Sequence, residues 1–296
     1  MTGLTLICVP FHLGSKAVGM GKGPLELLGD GAIPDRLQGA EYDIEMVQVG
    51  DPAETNEIGR IFELNRSLAG LVAATREMGR LPVVVAGNCN VCLGAIGGIG
   101  APSVGIVWLD AHPDFQTPET TDTGFIDGMG LAAATGACWS TLCDSIPGFH
   151  PVAERNAILV GVRDIDRAEQ ERLDVAQVEV IKGGQGPGRL ALPDLKRAVA
   201  AMADRVDGVY LHIDFDSVDP SLGSANEYAA EGGLGIDDVE AVARAVAERT
   251  PVLAISFTAY NPEVDRGHRF RATALEVVEG VIDPGLKDAA GRFSTV

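Results

Sequence analysis

Eight short apolar runs recur along the chain and set what it can fold into. They are Leu4–Val9, Ile44–Val49, Val83–Ala86, Val104–Leu109, Ala157–Gly161, Val178–Ile181, Val209–Ile213 and Val252–Phe257. Most are nearly continuous stretches of aliphatic and β-branched residues. Runs of that kind form strands covered on both faces, as in a parallel sheet. Helical patterns lie between several of them. Ile58, Ile61, Leu64, Leu68, Leu71 and Val72 follow the three/four spacing of one helix face. Pro193 opens a second helix running to about Val206, with proline suited to the first turn. Residues Asp237–Arg249 read as a third. This alternation predicts an α/β fold: three layers, α/β/α, around a mostly parallel sheet of about eight strands. With 296 residues the chain can bury a sizeable core. No internal repeat, low-complexity segment or linker divides it, so residues 1–296 read as a single domain. The Gly-rich stretch Gly183–Gly188 reads as a surface loop.

Composition narrows the function classes. The net charge of −19 argues against nucleic-acid partners and anionic membranes. No apolar run approaches the roughly 18 residues a membrane span needs. The first strand begins almost at once, with no basic region and no small-residue cleavage site, so no signal peptide is expected. The cysteines Cys8, Cys89, Cys92, Cys138 and Cys143 are odd in number and lack zinc-finger spacing. A reducing, cytoplasmic setting is the expectation.

In open α/β sheets, ligands bind beyond the carboxyl ends of the strands, and the chemistry-bearing residues cluster there. After Val104–Leu109 comes Asp110-Ala111-His112-Pro113-Asp114. If the backbone stays extended, these three side chains leave on the same side. Two carboxylates and an imidazole suit a divalent metal. After Val209–Ile213 the arrangement recurs: His212, Asp214 and Asp216 at spacing two, then Asp219-Pro220. Two strands delivering aspartates this way can hold a two-metal centre of the hydrolytic type. His212 reads as a support for the ligands before it reads as a ligand itself. After Val83–Ala86, Cys89 stands beside these candidates, whereas Cys92 reads as core. The Thr-rich turn after Asp114 can hydrogen-bond a carboxylate. Asp166 and Glu169, at i, i+3 near a helix start, suit either the helix dipole or a cationic amino group. The Gly19–Pro24 stretch lacks the order a phosphate loop needs.

Together these residues resemble the ureohydrolase family of arginases, agmatinases and formiminoglutamases. That family carries Gly-Gly-Asp-His, then Asp-Ala-His-x-Asp, then Asp-x-Asp-x-x-Asp-Pro. The second and third motifs stand intact as Asp110–Asp114 and Asp214–Pro220. Gly23-Pro24 and Asn261-Pro262 also fall where the family has them. The resemblance implies two divalent metal ions, Mn2+ by family habit. One would take Asp110, Asp114, Asp214 and position 89. The other would take His112, Asp110, Asp214 and Asp216. Gln116, Thr121 and Thr123 resemble the loop that binds a substrate α-carboxylate. The segment with Asp166 and Glu169 resembles the one that reads the α-amino group. The implied partner is a small amino-acid-like molecule, and the family habit allows a homo-oligomer.

Three positions depart from the family pattern. Cys89 replaces the histidine ligand, which shifts the expected metal preference towards Zn2+ or Fe2+. Asp127 stands where the family has its proton-shuttle histidine; a carboxyl with a raised pKa can do that work. Ala259 stands where an acid grips the guanidinium. Glu227, then Glu231, are the candidates to replace that acid, with Tyr228 in the same loop lining the reacting end. The changes at 89 and 127 resemble N-hydroxy-L-arginine amidinohydrolases. The expected function is hydrolysis of a C–N bond in a guanidino, hydroxyguanidino or amidino compound. The other reading is a catalytically degenerate ureohydrolase fold that binds an amino acid or a single metal.

Overall fold

A computed structural model describes residues 2–37, 42–182 and 186–292 of the chain. Residues 183–185 of the Gly183–Gly188 stretch lie outside them, as do 38–41. All eight expected strands form, with ends shifted by at most two residues: β1 (Thr2–Val9), β2 (Tyr42–Gln48), β3 (Leu81–Ala86), β4 (Val104–Leu109), β5 (Ala157–Val160), β6 (Glu179–Ile181), β7 (Gly208–Asp214) and β8 (Val252–Thr258). They make one sheet in the order β2-β1-β3-β8-β7-β4-β5-β6. Every neighbouring pair is parallel. A two-residue antiparallel ladder, Phe11–His12 with Ser15–Lys16, follows β1 and was not signalled by any apolar run.

Burial explains the sheet order. Every residue of β3, β4 and β7 is buried, and these strands occupy the middle with β8. The edge strand β2 carries Asp43 and Glu45 and is largely exposed. Charges on an edge discourage pairing with another chain. Arg80 clips this edge to its neighbour: its guanidinium meets Asp43 Oδ2 at 2.5 Å and the carbonyl of Leu4 at 2.8 Å. Alternate residues of a strand enter opposite layers. On β4, Val107 and Leu109 join one apolar cluster, and Ile106 and Trp108 the other.

The expected helices appear at Glu57–Glu77, Leu192–Ala203 and Ile236–Ala247. Asn56 caps the first, its Oδ1 accepting from Gly59 N at 2.7 Å. Two elements carried no periodic signal. Arg269–Arg292 forms a C-terminal helix. Cys92–Ile99 forms a helix that is buried on every side, so it has no polar face to give it a period. Its glycines serve packing. A Cβ on Gly98 would lie 2.5 Å from both the Ala69 carbonyl and Val72 Cβ of the Glu57–Glu77 helix. That close crossing brings the start of the Cys92–Ile99 helix, and Cys89 before it, under the sheet's carboxyl edge. We expect Gly98→Ala to destabilise the fold by about 1–3 kcal/mol through overpacking, read as a lower denaturation midpoint at unchanged secondary structure.

Candidate active site

Loops from the carboxyl ends of β3, β4, β7 and β8 enclose a cavity of about 550 Å3. Its floor carries Cys89, Asp110, His112, Asp114, Asp214 and Asp216, so the fold brings the six expected metal-site residues together. Asp110 leaves β4 with Oδ2 accepting from Trp108 Nε1 at 2.9 Å and Oδ1 from His112 N at 2.8 Å. The backbone does not stay extended beyond it, contrary to the simplest reading of the spacing. It bends, and Asp114 is held with a left-handed φ of 48°. The Asp114 carbonyl accepts from Leu131 N and Ala132 N at 3.0 and 3.1 Å, tying it to the Gly130–Ala134 helix. On β7, Asp214 Oδ1 accepts from Asp216 N at 2.7 Å and turns the chain. Asp216 Oδ1 accepts from Ala111 N at 3.2 Å, which joins the two aspartate loops. Cys89 Sγ donates to Asp214 Oδ2 at 2.9 Å and lies 3.2 Å from Thr258 Oγ1.

The electrostatics of the floor are those of crowded anions. Burial, then Asp216, raises Asp110 to about 6. Burial and the neighbouring aspartates push Asp114 and Asp214 well above the ordinary carboxylate range. Burial, then Asp214, raises the Cys89 thiol. The one half-buried imidazole gathers the compensating charge. Burial alone would lower His112, but Asp110 at 3.4 Å and Asp216 at 3.5 Å from Nδ1 outweigh it and push its pKa up to about 12. Burial works to raise Asp216 as well, yet His112 and the surrounding donors hold it well below its usual value. Such a cluster calls for cations. Two groups of donor atoms are spaced to share one. Asp110, His112 and Asp216 offer atoms all within 4.8 Å of one another, and so do Cys89, Asp110 and His212. The residues present fit divalent metals.

The cavity wall sorts the remaining expectations. Gln116, Thr123, Glu169, Asp127 and Tyr228 line it. Thr121 does not; its hydroxyl is used within the turn, accepting from Gly124 N at 3.1 Å. Asp166 does not either. It caps the Arg167–Leu173 helix, accepting from Glu169 N at 2.8 Å, and receives the Gln116 side-chain amide. Glu169 folds inward, with Oε1 accepting from Phe115 N at 3.0 Å, and burial raises it to about 7. Asp127 is buried. The Asn88 side chain donates to one of its oxygens, and Asn90 N donates to the other at 3.0 Å. Burial raises it to about 7 against those hydrogen bonds. Tyr228 is 45% exposed at the rim, its ring tilted against Phe125 at 5.7 Å.

Neither acid expected to compensate for Ala259 reaches the cavity. Glu227 is exposed and accepts from Asn261 Nδ2 at 3.1 Å. Glu231 flanks a separate cleft of about 930 Å3 beside Arg163. Ala259 itself lines the main cavity with a left-handed φ of 63°. Two polar lining residues had no sequence signal. Glu57 reaches the cavity from the first turn of its helix. Asn226 donates to Asp216 Oδ2 at 3.2 Å and to the Ala259 carbonyl at 2.9 Å. Its only sequence mark is a place a few residues after Asp219-Pro220.

Arg163 braces the floor from outside. Its guanidinium donates to the carbonyls of Asp216 at 2.7 Å, Ala230 at 2.8 Å, Gly161 at 3.1 Å and Ser217 at 3.3 Å. It therefore locks the β7 loop against the loop carrying Tyr228.

Known proteins agree with this architecture. The arginase family model matches residues 2–282. The arginase of Bacillus caldovelox is 28% identical, over 94% of this chain and 97% of that protein. The N(omega)-hydroxy-L-arginine amidinohydrolase of Streptomyces lavendulae is 32% identical, over 85% of this chain and 88% of that protein. The native structure of the Bacillus caldovelox arginase superposes with a TM-score of 0.83 at 26% identity, covering 95% of this chain and 98% of that one. The chain belongs to the arginase family, hydrolases of C–N bonds in amidino and guanidino groups. The family normally uses two divalent metals, usually Mn2+. Among the described residues no helix is long and apolar enough to cross a membrane.

Replacing Arg163 with Lys removes the planar fork that serves several carbonyls at once. We expect Arg163→Lys to lower stability by about 1–3 kcal/mol, the range for buried acceptors left short of a donor, measured by chemical denaturation.

Proposed function

We propose that this protein is a two-metal hydrolase of an amino-acid-like substrate whose reacting end is a guanidino-type group carrying no full positive charge, such as an N-hydroxyguanidine. The observation that carries this reading is the asymmetry of the cavity. Its floor is dense with metal donors, and its side wall carries the buried Glu169, but at position 259 the lining side chain is a methyl with no charge. A cationic guanidinium would find no carboxylate at Ala259. An N-hydroxyguanidine has a lower pKa than a guanidine and loses little there. The 32% identity to an N(omega)-hydroxy-L-arginine amidinohydrolase supports the same choice.

The metals would be held by Asp110, His112, Asp214 and Asp216 on one side, and by Cys89, Asp110, Asp114 and Asp214 on the other. Bound there, they supply activated water at neutral pH and electrostatic stabilisation of charge at the amidine carbon. The protein's own groups do the rest. Glu169 receives the substrate ammonium. Gln116 and Thr123 receive the α-carboxylate, with Asp166 and Thr121 fixing the backbone and amide that present them. Asp127 carries the proton to the leaving nitrogen, its two oxygens aimed by Asn88 and Asn90. Tyr228 closes the rim. Glu227 takes no part, because its carboxylate is turned to Asn261.

Protein purified without chelator should contain two divalent metals per chain. It should release hydroxyurea from N(omega)-hydroxy-L-arginine faster than urea from L-arginine. Silence over a panel of guanidino and hydroxyguanidino acids, with both metals present, would exclude a guanidine-type substrate. One metal or none would favour a binding protein. In a second measurement, Asp127→Asn should lower kcat by about 10²–10⁴ and leave KM nearly unchanged. A change confined to KM would move Asp127 from proton transfer to substrate binding.

A further inference from the structure

Beneath the cavity floor, with a donor atom within 4.8 Å of those of Cys89 and Asp110, lies a buried imidazole that the ligand set above does not use. His212 is wholly buried on β7, in register with Trp108 of β4. Its ring lies flat on the indole, with centroids 3.6 Å apart and planes 14° apart. Tyr210 Oη donates to Ser256 Oγ at 2.7 Å, so a phenol lone pair faces His212 Nδ1 at 2.9 Å. That direction holds the imidazole proton on Nδ1 and leaves the Nε2 lone pair bare. The hydroxyl hydrogen-bonded to Nε2 is Thr258 Oγ1, at 3.3 Å, which is also 3.4 Å from the Ile213 carbonyl it can donate to. The same hydroxyl lies 3.2 Å from Cys89 Sγ. A ring fixed by stacking, with one N–H anchored on a buried acceptor and the other nitrogen unprotonated, has the outer-shell arrangement of a metal-bound histidine.

We propose that His212 is itself a metal ligand, and that Cys89, Asp110 and His212 hold the deeper of the two metals. One donor atom of each lies within 4.8 Å of the others, and all three side chains are buried. The proposal rests on reading the floor as a two-metal centre and changes the composition of its deeper half. Thiolate with imidazole selects Zn2+ over Mn2+. The shallower group, Asp110, His112 and Asp216, keeps two carboxylates to one imidazole and stays a harder, Mn2+-type position. The centre would then be unequal, with zinc held by the buried group and manganese by the other, and Asp110 offering a donor to both. Chemically, the nitrogen donor absent at position 89 is supplied from β7.

X-ray absorption at the zinc edge tests this without reference to activity. In His112→Ala, His212 is the imidazole that remains within reach of Cys89 and Asp110. Loaded with one equivalent of Zn2+, it should show one sulfur at about 2.3 Å and imidazole scattering from a nitrogen at about 2.0–2.1 Å. Sulfur without imidazole, or imidazole without sulfur, overturns the proposal and leaves the two-metal reading standing. Failure of the unmodified protein to bind Zn2+ or Mn2+ overturns both. Independently, His212→Gln should weaken binding of one Zn2+ equivalent at least tenfold and leave Mn2+ at the other position unchanged. Unchanged zinc affinity in a variant with native circular dichroism overturns the proposal. If that variant does not fold, the His112→Ala spectrum decides alone.

Discussion

The structure depends on one electrostatic problem: Asp110, Asp114, Asp214, Asp216 and the Cys89 thiol are buried together at one end of a hydrophobic sheet. Carboxylates taken out of water need compensation. Without it they hold protons, as the raised values of Asp110, Asp114 and Asp214 express. The protein supplies part of the compensation through backbone N–H groups, the Trp108 indole and the His112 imidazole. In the arginase family divalent metal ions normally supply the remainder.

The sheet makes that crowding geometrically possible. β3, β8, β7 and β4 are consecutive neighbours and all parallel, so their carboxyl ends open on one rim. Cys89, Asp110, Asp214 and Ala259 lie within three residues of a strand end. Strand register then fixes what touches across the rim. The pairing of Trp108 with His212 both stacks the two rings and sets the Asp110 carboxylate against the indole N–H.

The sequence was most informative where a period or a motif exists. Buried parallel strands advertise themselves as nearly unbroken apolar runs, and the edge strand β2 was legible through Ile44, Met46 and Val47 despite its charges. The aspartates at spacing two were legible because strand ends are where such sites form. The Cys92–Ile99 helix was not, since burial on all sides removes the periodicity that marks a helix. Side-chain direction was also beyond reach. Asp166 and Glu169 are indistinguishable as sequence, yet the first caps a helix and the second points into the cavity. Glu227 and Glu57 reverse the expectation in the same way: proximity in sequence to a motif did not put Glu227 at the site, and distance from one did not keep Glu57 away.

Arg163 has a consequence for motion. Its guanidinium is bonded to carbonyls in the turn holding Asp216 and in the loop that carries the rim tyrosine. Floor and rim on this side are therefore one mechanical body. A substrate cannot enter by swinging that rim outward without disturbing a carboxylate of the floor. The Thr-rich turn that borders the same cavity is instead held together largely by its own hydroxyls. Amide exchange in that turn and in the 217–231 loop would then follow different opening events, although both border the same cavity.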